Sequence, residues 1–317
     1  MDQNAIPDSP SVTEPVKPPT RHIAGFWRRL FAFVVDGFLI SIPSFFVGYT
    51  FYDFFCSSSV WAAVVGFAIT LPYFAIMGSS IGTGQTLGQR LTGIEVVDGQ
   101  GSHLSLDKSY LRYTVLLVPL LFGEAGLPSY LAWPMAAACA AIFYLYGFNR
   151  RTRQTLHDLA TGSFVVETAG IGTIEERRIW PGHWAILAVL GILCIVITPI
   201  LTRTGPFPEL MTIQRALLDS GKLRDVGVML QTVSPGSKTG LRLTVTWKSN
   251  PQDYEKAGAE IVGIVERAAP GAAKRDFIAV DFKEGFHVGL ATFSNTHTLN
   301  HSPQEWEEIM RGEANGR

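Results

Sequence analysis

The chain has 317 residues, of which 47% are hydrophobic and 17% charged, against roughly 25% charged in an ordinary soluble protein. The shortfall is uneven, since 25 of the first 202 residues are charged and 28 of the last 115. This pattern excludes a wholly soluble enzyme, and a net charge of −1 with balanced signs in the tail gives no electrostatic footprint for nucleic acid.

Residues 1–22 hold Pro7, Pro10, Pro15, Pro18 and Pro19 among Ser, Asp, Glu and Lys, too little apolar surface to fold, which predicts a disordered arm. The first apolar run, residues 30–51, is 22 residues long, or about 33 Å as a helix, enough to cross a bilayer. No convincing cleavage site follows it, so it is predicted to be retained. Runs at 60–77, 111–122, 129–148 and 183–201 complete five predicted spans. Gly123, Glu124, Gly126 and Pro128 separate the short third run from the fourth and predict a helical hairpin. In the fourth, Ala136, Ala137, Ala138, Ala140 and Ala141 suit close helix packing rather than a substrate groove. Cys56, Cys139 and Cys194 lie in or beside these runs without CxxC spacing and read as small hydrophobes. The tail has no cysteine, so it must hold together by its own core.

Arginine and lysine set the predicted orientation. Lys17, Arg21, Arg28 and Arg29 precede the first span, Arg90 and Lys108 lie between spans two and three with Arg112 at the edge, and Arg150, Arg151, Arg153, Arg177 and Arg178 follow span four. The loops near Asp53 and Glu124 have none. Five spans with the amino terminus cytoplasmic and the tail extracytoplasmic satisfy every loop.

Asp36 lies about 9 Å into the first span, where an ionisable side chain needs a partner, a bundle interior or a wet cavity. Arg29 shares its helical face one heptad earlier, and Asp158 follows a cationic group at the cytoplasmic mouth. A cluster of Arg29, Asp36, Asp158 and, in support, Arg112 is the simplest compensation of these charges.

Three segments, Ala24-Gly25-Phe26-Trp27-Arg28-Arg29 running on to Asp36, Gly84-Gln85-Thr86-Leu87-Gly88-Gln89-Arg90-Leu91-Thr92-Gly93, and His157-Asp158-Leu159-Ala160-Thr161-Gly162-Ser163, occur in this order. Together they resemble the RDD family of bacterial membrane proteins. The resemblance covers about residues 20–167; Ser163 departs from it, because Thr more often follows the glycine in that family. It implies that Arg29, Asp36 and Asp158 are the family's arginine and two aspartates, and it implies a multi-pass protein of the bacterial plasma (inner) membrane, for which transport is the usual assignment.

The loop residues Gly84, Gln85, Thr86, Gly88 and Gly93 lack the spacing of a nucleotide-binding motif. Residues 94–97 and 103–106 around a glycine turn instead predict a small cytoplasmic β-hairpin, to which 164–166 could add a strand. The tail alternates helix and strand signals in the order α-β-β-α-β-β-α. Strands are predicted at 226–233, at 241–247 and on either side of Glu284-Gly285, with a capping box at Ser302-Pro303-Gln304-Glu305 opening the last helix. One antiparallel sheet with helices on one face is the economical packing, around Leu241, Leu243, Val245, Trp247, Ile261, Val265, Val280 and Phe282. His287, His297 and His301 are read as loop histidines rather than a metal site, because His297 and His301 would need a helix to converge.

The predicted fold is therefore a membrane all-α helical bundle with a small β-hairpin, followed by a C-terminal α+β domain. Its parts are an arm at 1–22, an RDD-like transmembrane domain at 23–168, a linker with the fifth span at 169–202, and a soluble domain at 203–317. No cofactor, metal or catalytic set is predicted. Two functions stay open: movement of an ion or small solute through the Arg/Asp site, or a non-catalytic assembly role in which the exported domain binds a protein partner. The lipid bilayer is the expected environment, and a homo-oligomer is compatible with the sequence.

Overall fold

The computed structural model describes residues 21–123, 129–170, 174, 178–201, 203–233, 238–248 and 251–312. The predicted arm up to residue 20, the break at 124–128 and the turn at 234–236 lie outside them. The membrane part comprises α1 (Phe26–Thr50), α2 (Tyr52–Ser57), α3 (Ser59–Met77), α4 (Leu87–Thr92), β1 (Ile94–Asp98), α5 (Leu106–Phe122), α6 (Ser129–Phe148), α7 (Leu156–Thr161), β2 (Ser163–Glu167) and α8 (Pro181–Leu201). Among the described residues, α1, α3 and Leu131–Phe148 within α6 are long and apolar enough to cross a membrane. Several apolar helices preceding a sheet domain are thus what the hydropathy pattern predicts.

The buried positions of α1 are Arg29, Ala32, Asp36, Ile40, Ser44 and Gly48. They recur every three or four residues, so one stripe runs the length of the helix. Ile40, Phe74, Tyr113, Leu116, Leu117 and Ile142 form the apolar centre between α1, α3, α5 and α6.

The small sheet differs from the predicted hairpin. β1 pairs antiparallel with β2, with Val96 opposite Val165, and His103 contributes only an isolated bridge to Val97. Residues 104–106 form no strand and lead into α5, which starts at Leu106. Ile94, Val96 and Val165 pack on Leu104, on Ala24 ahead of α1 and on Ala32 within it.

The C-terminal domain comprises α9 (Phe207–Asp219), β3 (Leu223–Val233), β4 (Lys238–Trp247), α10 (Tyr254–Ala268), a 3-10 turn (Pro270–Lys274), β5 (Ile278–Val288), β6 (Ala291–His301) and α11 (Pro303–Arg311). This is the expected element order, but the sheet is mixed rather than antiparallel. β3-β4 and β5-β6 are antiparallel pairs, while β4 and β5 run parallel. The cause is α10, a crossover helix that carries the chain back to the end of the sheet where β4 began before β5 starts.

Three further expectations are corrected. Glu284 and Gly285 lie inside β5, not in a turn, and the reversal comes at Gly289-Leu290. Gly285 (φ 148) is where the backbone of Phe293 passes so close that a Cβ would collide with it. Residues 295–301 are likewise strand, not loop. Trp247 is only partly buried, and the tryptophan at the centre of this core is Trp306, fully buried with its Nε1 donating to the Ile278 carbonyl at 2.9 Å.

Candidate functional site: two carboxylates at the bundle end

Asp158 is the first of two buried carboxylates, held in the first turn of α7 by a capping box with Thr155. Its Oδ2 accepts from Arg29 Nη2 at 2.7 Å and from the Thr155 amide at 3.1 Å, and its Oδ1 accepts from Arg112 Nη2 at 2.7 Å and Nε at 3.0 Å. Arg29 also donates to the Arg153 carbonyl, and Arg112 to Ser163 Oγ. One carboxylate with no solvent exposure thus ties α1, α5 and α7 together. Burial works against the charge on Asp158, and the two guanidiniums outweigh it, holding the carboxyl well below the usual carboxylate range. Burial also acts on neighbouring His157, whose pKa is pushed down to about 3, leaving a neutral ring beside the Thr155 hydroxyl.

Asp36 is the second, and it is bound differently. Its Oδ1 accepts from Tyr73 OH at 2.7 Å and from the Gly88 amide at 2.8 Å, and its Oδ2 accepts from Thr86 Oγ1 at 2.5 Å. Among the described residues it makes no ion pair. The single four-charge cluster expected from sequence is therefore two sites, in which Arg29 and Arg112 both serve Asp158 and Asp36 is satisfied by neutral donors.

The loop residues singled out from sequence build this second site. Thr86 caps α4 in a capping box with Gln89. Gly88 lets the loop lie against α1, where a Cβ would strike the Ala32 carbonyl. Gln85 Nε2 donates to the Ile94 carbonyl, Gly84 (φ 66) lies beside Val96 and His103, and Gly93 closes α4 in the left-handed conformation. Sequence reasoning missed Tyr73, for which a tyrosine inside an apolar span gave no separate signal.

It also missed a repeat. Residues 85–97 and 154–166 align at a spacing of 69 positions with seven identities in thirteen, Gln85/Gln154, Thr86/Thr155, Leu87/Leu156, Thr92/Thr161, Gly93/Gly162, Val96/Val165 and Val97/Val166. The structure repeats the bonds as well. Gln154 Nε2 donates to the Ser163 carbonyl as Gln85 does to Ile94, and Thr161 Oγ1 donates to the carbonyls of His157 and Asp158 as Thr92 does to Gly88 and Gln89. Gly162 (φ 64) ends α7 as Gly93 (φ 66) ends α4. The β1-β2 register obeys the same relation, since Val96 opposes its own counterpart Val165 while Ile94↔Glu167 and Asp98↔Ser163 exchange places. Each unit is two long helices, a short capped helix and a strand, with α2 added in the first, and the strand pairing is symmetric about Val96 and Val165.

Between the two units lies a cavity of about 140 Å³. Arg29, Asp36, Gln89, Arg112 and His157 supply its polar wall, and Phe33, Phe74, Leu116, Ile142, Ile94 and Val165 its apolar wall. Among the described residues no group of His, Cys, Asp or Glu is arranged to hold a metal.

Residues 23–162 match the RDD family. The uncharacterized protein YckC of Bacillus subtilis (strain 168) is 30% identical over 144 residues, 45% of this chain and 83% of that protein. The uncharacterized protein YxaI of the same organism is 25% identical over 111 residues, 28% of this chain and 73% of that protein. No solved structure matches. The matched stretch holds both carboxylates, both arginines, both capped loops and nearly all of the repeat, and on this ground the chain belongs to the RDD family, as a membrane protein that carries a further helix and a sheet domain beyond it.

Proposed function

We propose that the chain is a membrane transporter that moves an ion or small solute through the cavity between its two units. The observation that supports this best is the position of the cavity, walled by both repeats and bordered by Asp36 inside a helix that can cross the membrane. Transporters built from internal repeats bind their cargo at the repeat interface, and ionisable groups at membrane depth mark ion or substrate routes. In this reading Arg29, Asp158 and Arg112 are the frame and Asp36 is the group that meets the cargo. The distribution of Arg and Lys supports a cytoplasmic amino terminus, an inner-membrane location and an extracytoplasmic sheet domain.

Proteoliposomes carrying the full chain, loaded with a pH-sensitive or sodium-sensitive dye, test this under imposed proton and sodium gradients. Flux in the parent, lost in Asp36→Asn at unchanged folded yield, is the expected result. Absence of flux in the parent sinks it.

The second reading is a non-catalytic assembly protein whose C-terminal domain binds a protein partner. It is favoured by the saturation of both carboxylates with internal donors. It requires that Asp36→Asn lower the amount of folded protein while the parent shows no flux.

A further inference from the structure

The β5-β6 turn lies against the membrane helices, outside the apolar core of its own sheet. Phe286 and Val288 pack with Phe55 and Ala62 on α2 and α3. A Cβ on Gly48 of α1 would run into the Phe286 ring, and one on Gly66 of α3 into the backbone of Gly289. Leu290 reaches further. It touches the position of Gly37, next to Asp36, and joins the apolar cluster of Phe74, Tyr113, Leu116 and Ile142, the side chains that wall the cavity.

Two polar groups at this contact lack partners. Ser44 on α1 and Thr70 on α3 are fully buried, and neither hydroxyl makes a hydrogen bond. A Cβ built on Gly289 would stand 3.1 Å from each oxygen, so the hydroxyls flank the hairpin tip from opposite helices. A hydroxyl sealed inside a helical bundle ordinarily donates back to the carbonyl one turn earlier, and a buried polar atom without a partner calls for a physical reason. A state in which these oxygens face water supplies one.

We propose that Ser44 and Thr70 line the outer half of the route to the Asp36 cavity, and that the β5-β6 tip is a removable plug occupying it in this structure. The inference rests on the transport reading and adds to it the outer path and its closing element. The stripe Gly48, Ser44, Ile40, Asp36 on α1 connects plug to carboxylate along one helical face. At its base the plug is tied to α2, by Cys56 Sγ donating to the Gly285 carbonyl at 3.1 Å and by Arg224 of β3 donating to the Cys56 carbonyl. Because the tip is continuous with β5 and β6, movement of the sheet domain would pull on it directly.

Cysteine accessibility tests this without any flux measurement. In the full chain with Cys56, Cys139 and Cys194 changed to serine, Thr70→Cys serves as the reporter and Gly48→Cys with Phe286→Cys as the clamp, in nanodiscs open to reagent on both faces. The clamp is expected to form a disulfide on oxidation. Oxidised clamp should slow modification of the reporter by a cationic thiosulfonate about tenfold or more, because only the open state exposes it and the clamp removes that state. Phe286→Ser with Leu290→Ser, without the clamp, should speed it. Failure of the clamp to oxidise, or equal reporter rates with the clamp oxidised and reduced, overturns the proposal. Where the loosened tip does not fold, the oxidised and reduced clamp decide alone. Clamp-dependent rates in a protein that carries no flux would retain the movable plug and remove transport.

Discussion

The two repeat units place the same scaffold around opposite electrostatic solutions. In the first, the capping partner at the third helical position is neutral Gln89 and the charge comes from α1 as Asp36, met by a phenol, a hydroxyl and an amide. In the second, the capping partner is itself the acid, Asp158, and the charges that come from α1 and α5 are Arg29 and Arg112. The difference separates a site held only by neutral donors from one locked by two full charges. A buried ion pair loses far more when one member is removed than it gains on formation, because the remaining charge keeps its desolvation cost.

Removing the lock should have the largest effect. Asp158→Asn leaves Arg29 and Arg112 buried with no carboxylate and is expected to cost about 3–5 kcal/mol, seen as loss of monodisperse protein in detergent or a steep fall in thermal midpoint. Gln89→Ala, at the equivalent cap, should cost only about 1 kcal/mol. Equal losses at the two positions would erase the distinction between the units.

Acid should act mainly through the second unit. His157 binds its proton more weakly folded than unfolded, so its contribution is present above the unfolded pKa near 6.5 and is lost as pH falls from there toward about 3. At pH 5 this amounts to about 2 kcal/mol. The same sign holds for Asp158, whose depressed pKa withdraws stability only below the ordinary carboxylate range. Thermal midpoints of the parent and of His157→Gln between pH 7.5 and 5 check this: the variant should lose much of the slope, and parallel slopes would contradict it.

The glycines test packing rather than charge. Gly162→Ala meets no atom within 4 Å and carries only its left-handed backbone, φ 64, a cost of about 1–2 kcal/mol. Gly88→Ala, at a helical position without that strain, must displace the Ala32 carbonyl and the Asp36 carboxylate, an overpacking of about 1–3 kcal/mol. The pair therefore compares bare backbone strain in the second unit with the close approach of loop and helix in the first.

The amino-acid order determined the parts of this protein that depend on neighbours along the chain. Long apolar runs marked the helices, Thr and Ser before short helices marked the caps, and alternation in 241–247 marked a buried strand face, because each signal is a local preference of the backbone or of one face. The motif residues Arg29, Asp36 and Asp158 were visible for the same reason: charge is rare in apolar sequence. The repeat was also legible, as seven identities at a fixed spacing, and was passed over because a nearer glycine turn offered β1 a simpler partner.

Only the tertiary structure decided who pairs with whom. Arg29 stands seven residues from Asp36 in sequence yet binds an aspartate 129 positions away, since a carboxylate is claimed by whichever donors the packed helices bring to it. Direction within the sheet was settled by α10 crossing over it, and the choice of Trp306 over Trp247 as core by which ring the helices enclose. The insertion of Gly289 between Ser44 and Thr70 depends on missing Cβ atoms at three separate glycines meeting at one place. That complementarity exists only after folding, because close packing is a property of surfaces brought together and not of any one segment.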